Sequence, residues 1–452
     1  MWLLRWFPRW LLMRCPLPGA LPGLVLTAYL PLSIHCGGQV EALLPSGPMP
    51  PSRRFLFLQG PPGLFWVRLG DALRARGHGV RRINLNTADW LSWPRRGADN
   101  YRGGFDGWEA WLGAYLAREG ITDILYYADR LPYHVAALAQ AKARGIRVHA
   151  IEFGYLRPDW LTMEPEAMGR HSTIPSDPAE IRRLAAGHPD PDMTARYTHG
   201  FWAESMREVS YNLAMVFGRP LYPFYRSDKY YWPVAEYLAW LTQLVTGMVT
   251  GPRHEARVDR ALSGAYPFYL VALQLQMDYQ IRASTDYGHI EEMLDEVAAS
   301  FAAHAPADSR LVIKTHPLDC GLEFWPRRVA RVARRHGIAG RVELVDSMRL
   351  APLIQASRGV ILANSTVGLH AIGVEKSVIA LGDAVFNMAG LTHQGGIDTF
   401  WTAPEPVDPT LARDLRRALA AHWQVRGSFY NPEGVKVAIA GICARLEALP
   451  PL

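Results

Sequence analysis

Short apolar runs alternate along the chain with segments whose apolar positions recur every three or four residues. From residue 53 the series begins with RRFLFLQGPPG, a buried-strand run closed by Gly and Pro. VRLGDALRARGHGV then has helical periodicity and a terminal glycine. RRINLN reads as a strand, WEAWLGAYLAREGI as a helix, TDILYYAD as a strand, PYHVAALAQAKARGI as a helix and RVHAIEFG as a strand. A second series starts at residue 268: FYLVALQ, IEEMLDEVAASFAAHA, RLVIKTHP, WPRRVARVARRHGIAG, RVELVD, MRLAPLIQAS, RGVILAN and STVGLHAIGVEK alternate strand with helix. SVIALGDAVF is its last clear strand.

Strands alternating with helices of this length predict parallel sheets with crossover helices. Two such series predict an α/β protein of two Rossmann-like domains with a cleft between them. The boundaries read as 53–262 and 263–452. Residues 176–262 break the first series with a Pro-punctuated loop and a cluster of Tyr and Trp flanked by Arg and Lys. Pro223 and Pro233 interrupt the apolar part of that stretch. It reads either as an amphipathic element resting on a bilayer or as a pair of core helices beside the cleft.

Residues 1–52 are apolar but interrupted by Pro8, Pro16, Pro18, Pro22 and Pro31, so no clean run of about 20 apolar residues survives to span a membrane. They read as a disordered extension or a start placed too far upstream. The 452-residue chain has 49% hydrophobic and 20% charged residues, as a globular protein does. Its net charge of +6 is spread without a long basic run, which suits an anionic ligand or lipid and argues against nucleic acid. Cys15, Cys36, Cys320 and Cys443 are scattered, which disfavours a disulfide framework or a zinc site and fits a reducing compartment.

In open α/β sheets ligands bind beyond the carboxyl ends of the strands. Gln59, Asn84, Asn86, Asp129 and Glu152 fall at such ends in the first half. In the second half KTHP ends one strand, and NSTVG joins another to a helix. Ser365 and Thr366 then sit at the cap and first turn, where free N–H groups and the helix dipole suit phosphate. His316 or Lys314 can then neutralise the charge of that phosphate. Asp278 follows the strand that opens the second half, so it and Glu152 can face each other as a carboxylate pair. As a single residue, Asp278 also fits an ordinary turn or cap. No GxGxxG or Walker A lysine motif occurs, and no metal is expected.

These pieces resemble a known family. FLQGPPGLFWVRLGDAL, INLNTADW, YRGGFDGW, ADRLPYHVAALAQA, AIEFGYLRPDWLTMEP, QLQMDYQIR, KTHP and NSTVGLHAI run in the order found in bacterial capsule polysaccharide biosynthesis and export proteins of the KpsS/LipB branch of β-Kdo glycosyltransferases. The resemblance implies a GT-B-like fold. It also implies CMP-β-Kdo as donor, a lysophosphatidylglycerol-type lipid as acceptor, and transfer that retains configuration and starts the linker of a capsular polysaccharide. It implies no cofactor, a peripheral position on the cytoplasmic face of the inner membrane, and association with other capsule synthesis and export proteins.

Residue by residue, the resemblance makes Asp278 the nucleophile and Glu152 the proton shuttle. His316, Ser365 and Thr366 bind the CMP phosphate, with Lys314 and Asn364 beside them. Arg157, Gln274, Gln59 and Asn86 are further substrate-binding candidates. Where the linker-extending branch has Asp after the glutamate, this chain has Phe153, so Glu152 stands there without a second acid beside it. A transferase for another CMP-sugar, such as CMP-sialic acid, and a non-catalytic export component are the alternatives.

Overall fold

The computed structural model describes residues 52–198 and 200–450; the expectations for residues 1–51, with Cys15 and Cys36, lie outside them. The first half runs β1 (Arg54–Phe57), α1 (Phe65–Ala75), β2 (Gly79–Asn84), α2 (Thr87–Leu91), β3 (Ala98–Asn100), α3 (Trp108–Glu119), β4 (Asp123–Tyr127), α4 (Pro132–Lys142), β5 (Arg147–Phe153) and β6 (Trp160–Pro165). Three helices follow: α5 (Pro178–Ala185), α6 (Phe201–Phe217) and α7 (Pro233–Leu262). The second half runs β7 (Phe268–Ala272), α8 (Tyr279–Ser284), α9 (Ile290–His304), β8 (Arg310–Lys314), α10 (Trp325–Arg335), β9 (Val342–Val345), α11 (Leu350–Ala356), β10 (Val360–Leu362), α12 (Val367–Gly373) and β11 (Val378–Ala380). The chain closes with α13 (Ile397–Phe400), α14 (Pro409–Ala418), β12 (Gln424–Arg426) and α15 (Pro432–Ala448).

Each half is built on a doubly wound sheet. The first has the order β12-β6-β5-β4-β1-β2-β3, the second β11-β10-β7-β8-β9. Strands β1 to β5 are parallel, as is the whole second sheet. Within each half the first strand lies between the second and the fourth. The chain therefore leaves β1 and β4, and likewise β7 and β10, in opposite directions, which opens a crevice at their carboxyl ends. This is the arrangement of two Rossmann-like halves that the alternation predicts, and the GT-B-like fold that the resemblance implies.

Side-chain alternation fixes the layers. Phe55 and Phe57 of β1 point to one core with Phe65, Leu69, Ile439 and Ile442, whereas Leu56 and Leu58 point to the other with Leu112, Tyr115 and Ala137. In β7, Phe268 and Leu270 face Leu353, Ile372 and Leu415, while Tyr269 and Val271 face Val297, Phe301 and Val329. Both faces are covered, so the central strands β1 and β7 are mainly apolar rather than alternating with polar residues. Each fully buried side chain of this size contributes roughly 1.5–3 kcal/mol. Helix α3 ends on Gly120 in the left-handed region (φ 57°), a conformation that a Cβ disfavours.

The structure departs from the sequence reading in three places. Strand β12 pairs antiparallel with β6, and α15 packs on α1, so the chain from Gln424 to Ala448 belongs with the first sheet rather than the second. A three-residue strand carries too little pattern to be read in advance. Residues 160–165, read only as the tail of a motif, turn back as β6 against β5. In the 176–262 stretch, where Pro233 reads as an interruption, the helices run long: α6 has 17 residues and α7 has 30. Pro233 opens α7 instead of breaking it, because its missing N–H falls where the helix has no acceptor to offer.

Candidate active site

A cleft of about 640 Å³ lies where the carboxyl ends of the two sheets face each other. Its wall includes Gln59, Glu152 and Arg157 from the first half, and Gln274, Asp278, Lys314, His316, Asn364, Ser365 and Thr366 from the second. Asn86 is not part of it. Asn86 caps α2, accepting the Asp89 N–H at 2.9 Å. Asn84 bonds Asn100 and Arg82, and Asp129 accepts the Met168 N–H; like Asn86, they serve the fold and do not line the cleft.

Glu152 stands at the end of β5, with Oε1 accepting the Phe153 N–H at 3.0 Å. Its Oε2 accepts the hydroxyl of Tyr279 at 3.2 Å, and Tyr279 comes from the opposite half. Burial lifts the carboxyl to about 7, and the nearby Asp278 carboxylate adds to the rise against hydrogen bonds from Tyr127, the Phe153 N–H and Tyr279. A group poised near neutrality can both take and give a proton.

Asp278 caps α8, its Oδ1 accepting the Gln280 N–H at 2.9 Å. The cap reading and the cleft reading are therefore both correct for it. Burial raises its carboxyl above the usual range, opposed by that N–H and by the charges of Arg282 and Arg157. Arg157 is exposed, with its guanidinium 5.6 Å from the centre of the Phe153 ring. It makes no ion pair among the described residues, and its charge reaches both Asp278 and His316. An unpaired guanidinium over a cleft is suited to a carboxylate or phosphate.

His316 accepts the Leu318 N–H on Nδ1 at 3.1 Å, so its neutral ring carries the proton on Nε2. Burial first, then the charges of Lys314 and Arg157, lowers its pKa to about 4. The ring is neutral at pH 7, which makes it a hydrogen-bond donor rather than the charge-neutralising group expected from sequence. Lys314 is buried at the end of β8 and donates to the Thr315 carbonyl at 2.9 Å.

Gln274 and Asn364 bind each other. The Gln274 Nε2 donates to Asn364 Oδ1 at 2.8 Å, and the Asn364 N–H donates to Gln274 Oε1 at 3.0 Å. The Asn364 amide also reaches the carbonyls of Gln280 and Ser284. They clasp the ends of β7 and β10 at the crevice, so they position the loops carrying Asp278 and Ser365. Ser365 Oγ accepts the Val367 N–H at 3.2 Å, and Thr366 is the cap residue of α12. Gln59 donates to the Tyr225 hydroxyl at 3.0 Å.

Sequence reasoning missed Tyr279 and Tyr127, which touch Glu152. The available signal was position: Tyr279 directly follows the candidate nucleophile, and Tyr127 ends a strand as Gln59 does. No group of three or more His, Cys, Asp or Glu side chains is arranged to hold a metal ion among the described residues. No helix among them is long and apolar enough to cross a membrane.

Comparison with known proteins places this geometry in context. The family described as capsule polysaccharide biosynthesis protein matches residues 122–430. The Escherichia coli capsule polysaccharide export protein KpsS is 30% identical over 389 residues, covering 84% of this chain and 97% of that protein. The capsule polysaccharide modification protein LipB of Neisseria meningitidis serogroup B is 29% identical over 395 residues, covering 84% of this chain and 92% of LipB. Among solved structures, the β-Kdo 2,7 transferase KpsC of Thermosulfurimonas dismutans aligns at 14% identity and a TM-score of 0.42, over 86% of this chain and 99% of that one.

Proposed function

The chain belongs to the capsule polysaccharide biosynthesis family, and from that premise we propose that it is a retaining glycosyltransferase. It moves Kdo from CMP-β-Kdo to a lysophosphatidylglycerol-type lipid, as a peripheral protein on the cytoplasmic face of the inner membrane. The observation that carries this reading is the convergence of two carboxyl groups, Glu152 and Asp278, from opposite halves on one cleft.

In this mechanism the donor phosphate lies against the Nε2–H of His316, the Lys314 ammonium and the turn at Ser365 and Thr366. Arg157 pairs with the sugar carboxylate. The Asp278 carboxylate attacks the anomeric carbon. That bond forms as the carbon–oxygen bond to phosphate breaks, and CMP leaves with the electron pair. Glu152 then removes the proton of the acceptor hydroxyl, whose oxygen attacks the same carbon and expels Asp278. Two displacements leave the configuration as it was.

The test is incubation of the purified protein with CMP-Kdo, generated in situ, and a lysophosphatidylglycerol. A mass increase of one Kdo on the lipid is the expected result. Absence of transfer where an active relative succeeds would overturn the reading and favour a non-catalytic role in export, the role that KpsS carries in its name.

A further inference from the structure

Helix α7 is about 45 Å long at 1.5 Å per residue, and its two ends belong to different halves. Near its start, Tyr237 accepts a hydrogen bond from Asn212 of α6 at 3.0 Å, and Glu236 lines the cleft. Near its end, Val258 and Ala261 are buried in the second half, and Arg257 donates to the Leu344 carbonyl at 2.9 Å. The middle has a face with no partner. Leu238, Leu241, Val245, Met248 and Val249 recur at helical spacing and are 43–69% exposed. From Tyr237 to Pro252 the helix has no charged residue.

The patch continues through the segment before α7, where Phe217, Leu221, Phe224, Tyr230 and Trp232 are exposed. Of the 21 large hydrophobic side chains exposed among the described residues, 11 lie between Met206 and Val249. That concentration exceeds the scatter of single apolar residues on an ordinary surface. Cations border it: Arg219, Arg226 and Lys229 before the helix and Arg253 after the stripe, with Asp228 and Glu236 as the acids among them. None of these four cations is in an ion pair among the described residues, although Arg226 lies 4.9 Å from the Phe105 ring centre.

We propose that the exposed face of α7 and the aromatic segment before it form the surface by which the protein docks on an anionic lipid bilayer. Aliphatic side chains on one helix face enter the acyl boundary, Tyr and Trp sit at headgroup level, and the bordering cations meet lipid phosphates. The helix lies in the interface rather than crossing it. A zipper with a second copy is disfavoured by the helix itself. Thr242, Thr246 and Pro252 are exposed within or beside the stripe, and no charged residue from 237 to 252 can set a register. The inner faces of the same segment line the cleft through Tyr211, Asn212, Tyr231 and Glu236. Docking thus brings the cleft to the surface that holds a lipid acceptor, a step that rests on the function proposed above.

Flotation with phosphatidylglycerol/phosphatidylcholine vesicles tests the surface without requiring catalysis. The wild type is expected to float, and more weakly with phosphatidylcholine alone. The double variant Leu241→Glu/Val245→Glu is expected to partition at least about tenfold less. Its circular dichroism and its transfer to a short-chain, freely soluble acceptor should match the wild type. A polarity-sensitive label on Val245→Cys should shift to the blue on vesicles. Equal flotation of wild type and double variant, failure of the wild type to float, or a wild-type dimer in light scattering that the double variant dissolves would each overturn the proposal. Normal flotation without sugar transfer would instead overturn the proposed activity and leave the docking surface intact.

Discussion

Asp123 and Glu152 are carboxyl groups at opposite ends of neighbouring strands in one sheet, and their surroundings have opposite effects. Asp123, at the start of β4, is fully buried. Burial alone would raise its pKa, but hydrogen bonds from His149 at 2.9 Å and from Arg53 at 2.8 Å hold it at about 2. Glu152, at the end of β5, has tyrosines and a backbone N–H but no cation against it, and burial lifts it to about 7. One end of the sheet stabilises its charge and the other leaves it available for proton transfer. The difference lies in the partners rather than in the residue type.

The largest expected effect separates chemistry from architecture. Asp278→Asn should lower turnover by at least about a thousandfold while CMP titration stays within twofold of the wild type, because the variant keeps the cap and loses the proposed nucleophile. Asp123→Asn should do the reverse. It leaves Arg53 and His149 without their anion, so denaturant unfolding should show a loss on the order of 3 kcal/mol with turnover per folded molecule unchanged. A thousandfold loss of turnover in Asp123→Asn, or wild-type turnover in Asp278→Asn, would erase the distinction.

Glu152→Gln sharpens the same contrast through pH. The folded chain holds the Glu152 proton up to about pH 7, whereas the unfolded chain releases it above about pH 4.5. Ionising Glu152 therefore costs stability on the order of 3 kcal/mol as pH rises across that window. Asp123 has the opposite slope. Its contribution, on the order of 2 kcal/mol, is full above about pH 4 and lost as pH falls through 2. Glu152→Gln should thus be more stable than wild type at pH 8 and equal to it at pH 4, measured by thermal melts. Its turnover should fall about a hundredfold, with loss of the inflection near pH 7.

The contrast also explains how much of the molecule was legible beforehand. Parallel strands buried on both faces announce themselves as apolar runs, so both sheets were readable from residues such as Phe55–Phe57 and Leu311–Ile313. Strand ends were readable too, which is why Gln59, Glu152, Asp278 and His316 were found to share a cleft. What a strand-end side chain does there depends on neighbours far away in sequence. Asn86 turned inward to cap α2, and Asn364 was taken up by Gln274, 90 residues earlier. Strand β12 was invisible because its pairing with β6 comes from position, not pattern.

A smaller effect concerns the neutral ring in the cleft. His316→Ala should weaken CMP binding about tenfold by calorimetry, the loss of one hydrogen bond to a charged oxygen. His316→Gln, which retains an N–H donor, should recover part of it. Equal CMP affinity in His316→Ala would remove the ring from the phosphate site.

The smallest expected effect probes the link between the halves. The Tyr279 hydroxyl donates to Glu152 at 3.2 Å and favours its ionised form. Without that donor, burial and Asp278 act on Glu152 with less opposition, so its pKa should rise further above 7. Tyr279→Phe should therefore move the acidic limb of the pH–rate profile upward while lowering the plateau about threefold to tenfold. A merely structural tyrosine would reduce stability or turnover at all pH values and leave the limb where it was. Movement of the limb identifies Tyr279 as the residue through which the second half tunes an acid belonging to the first.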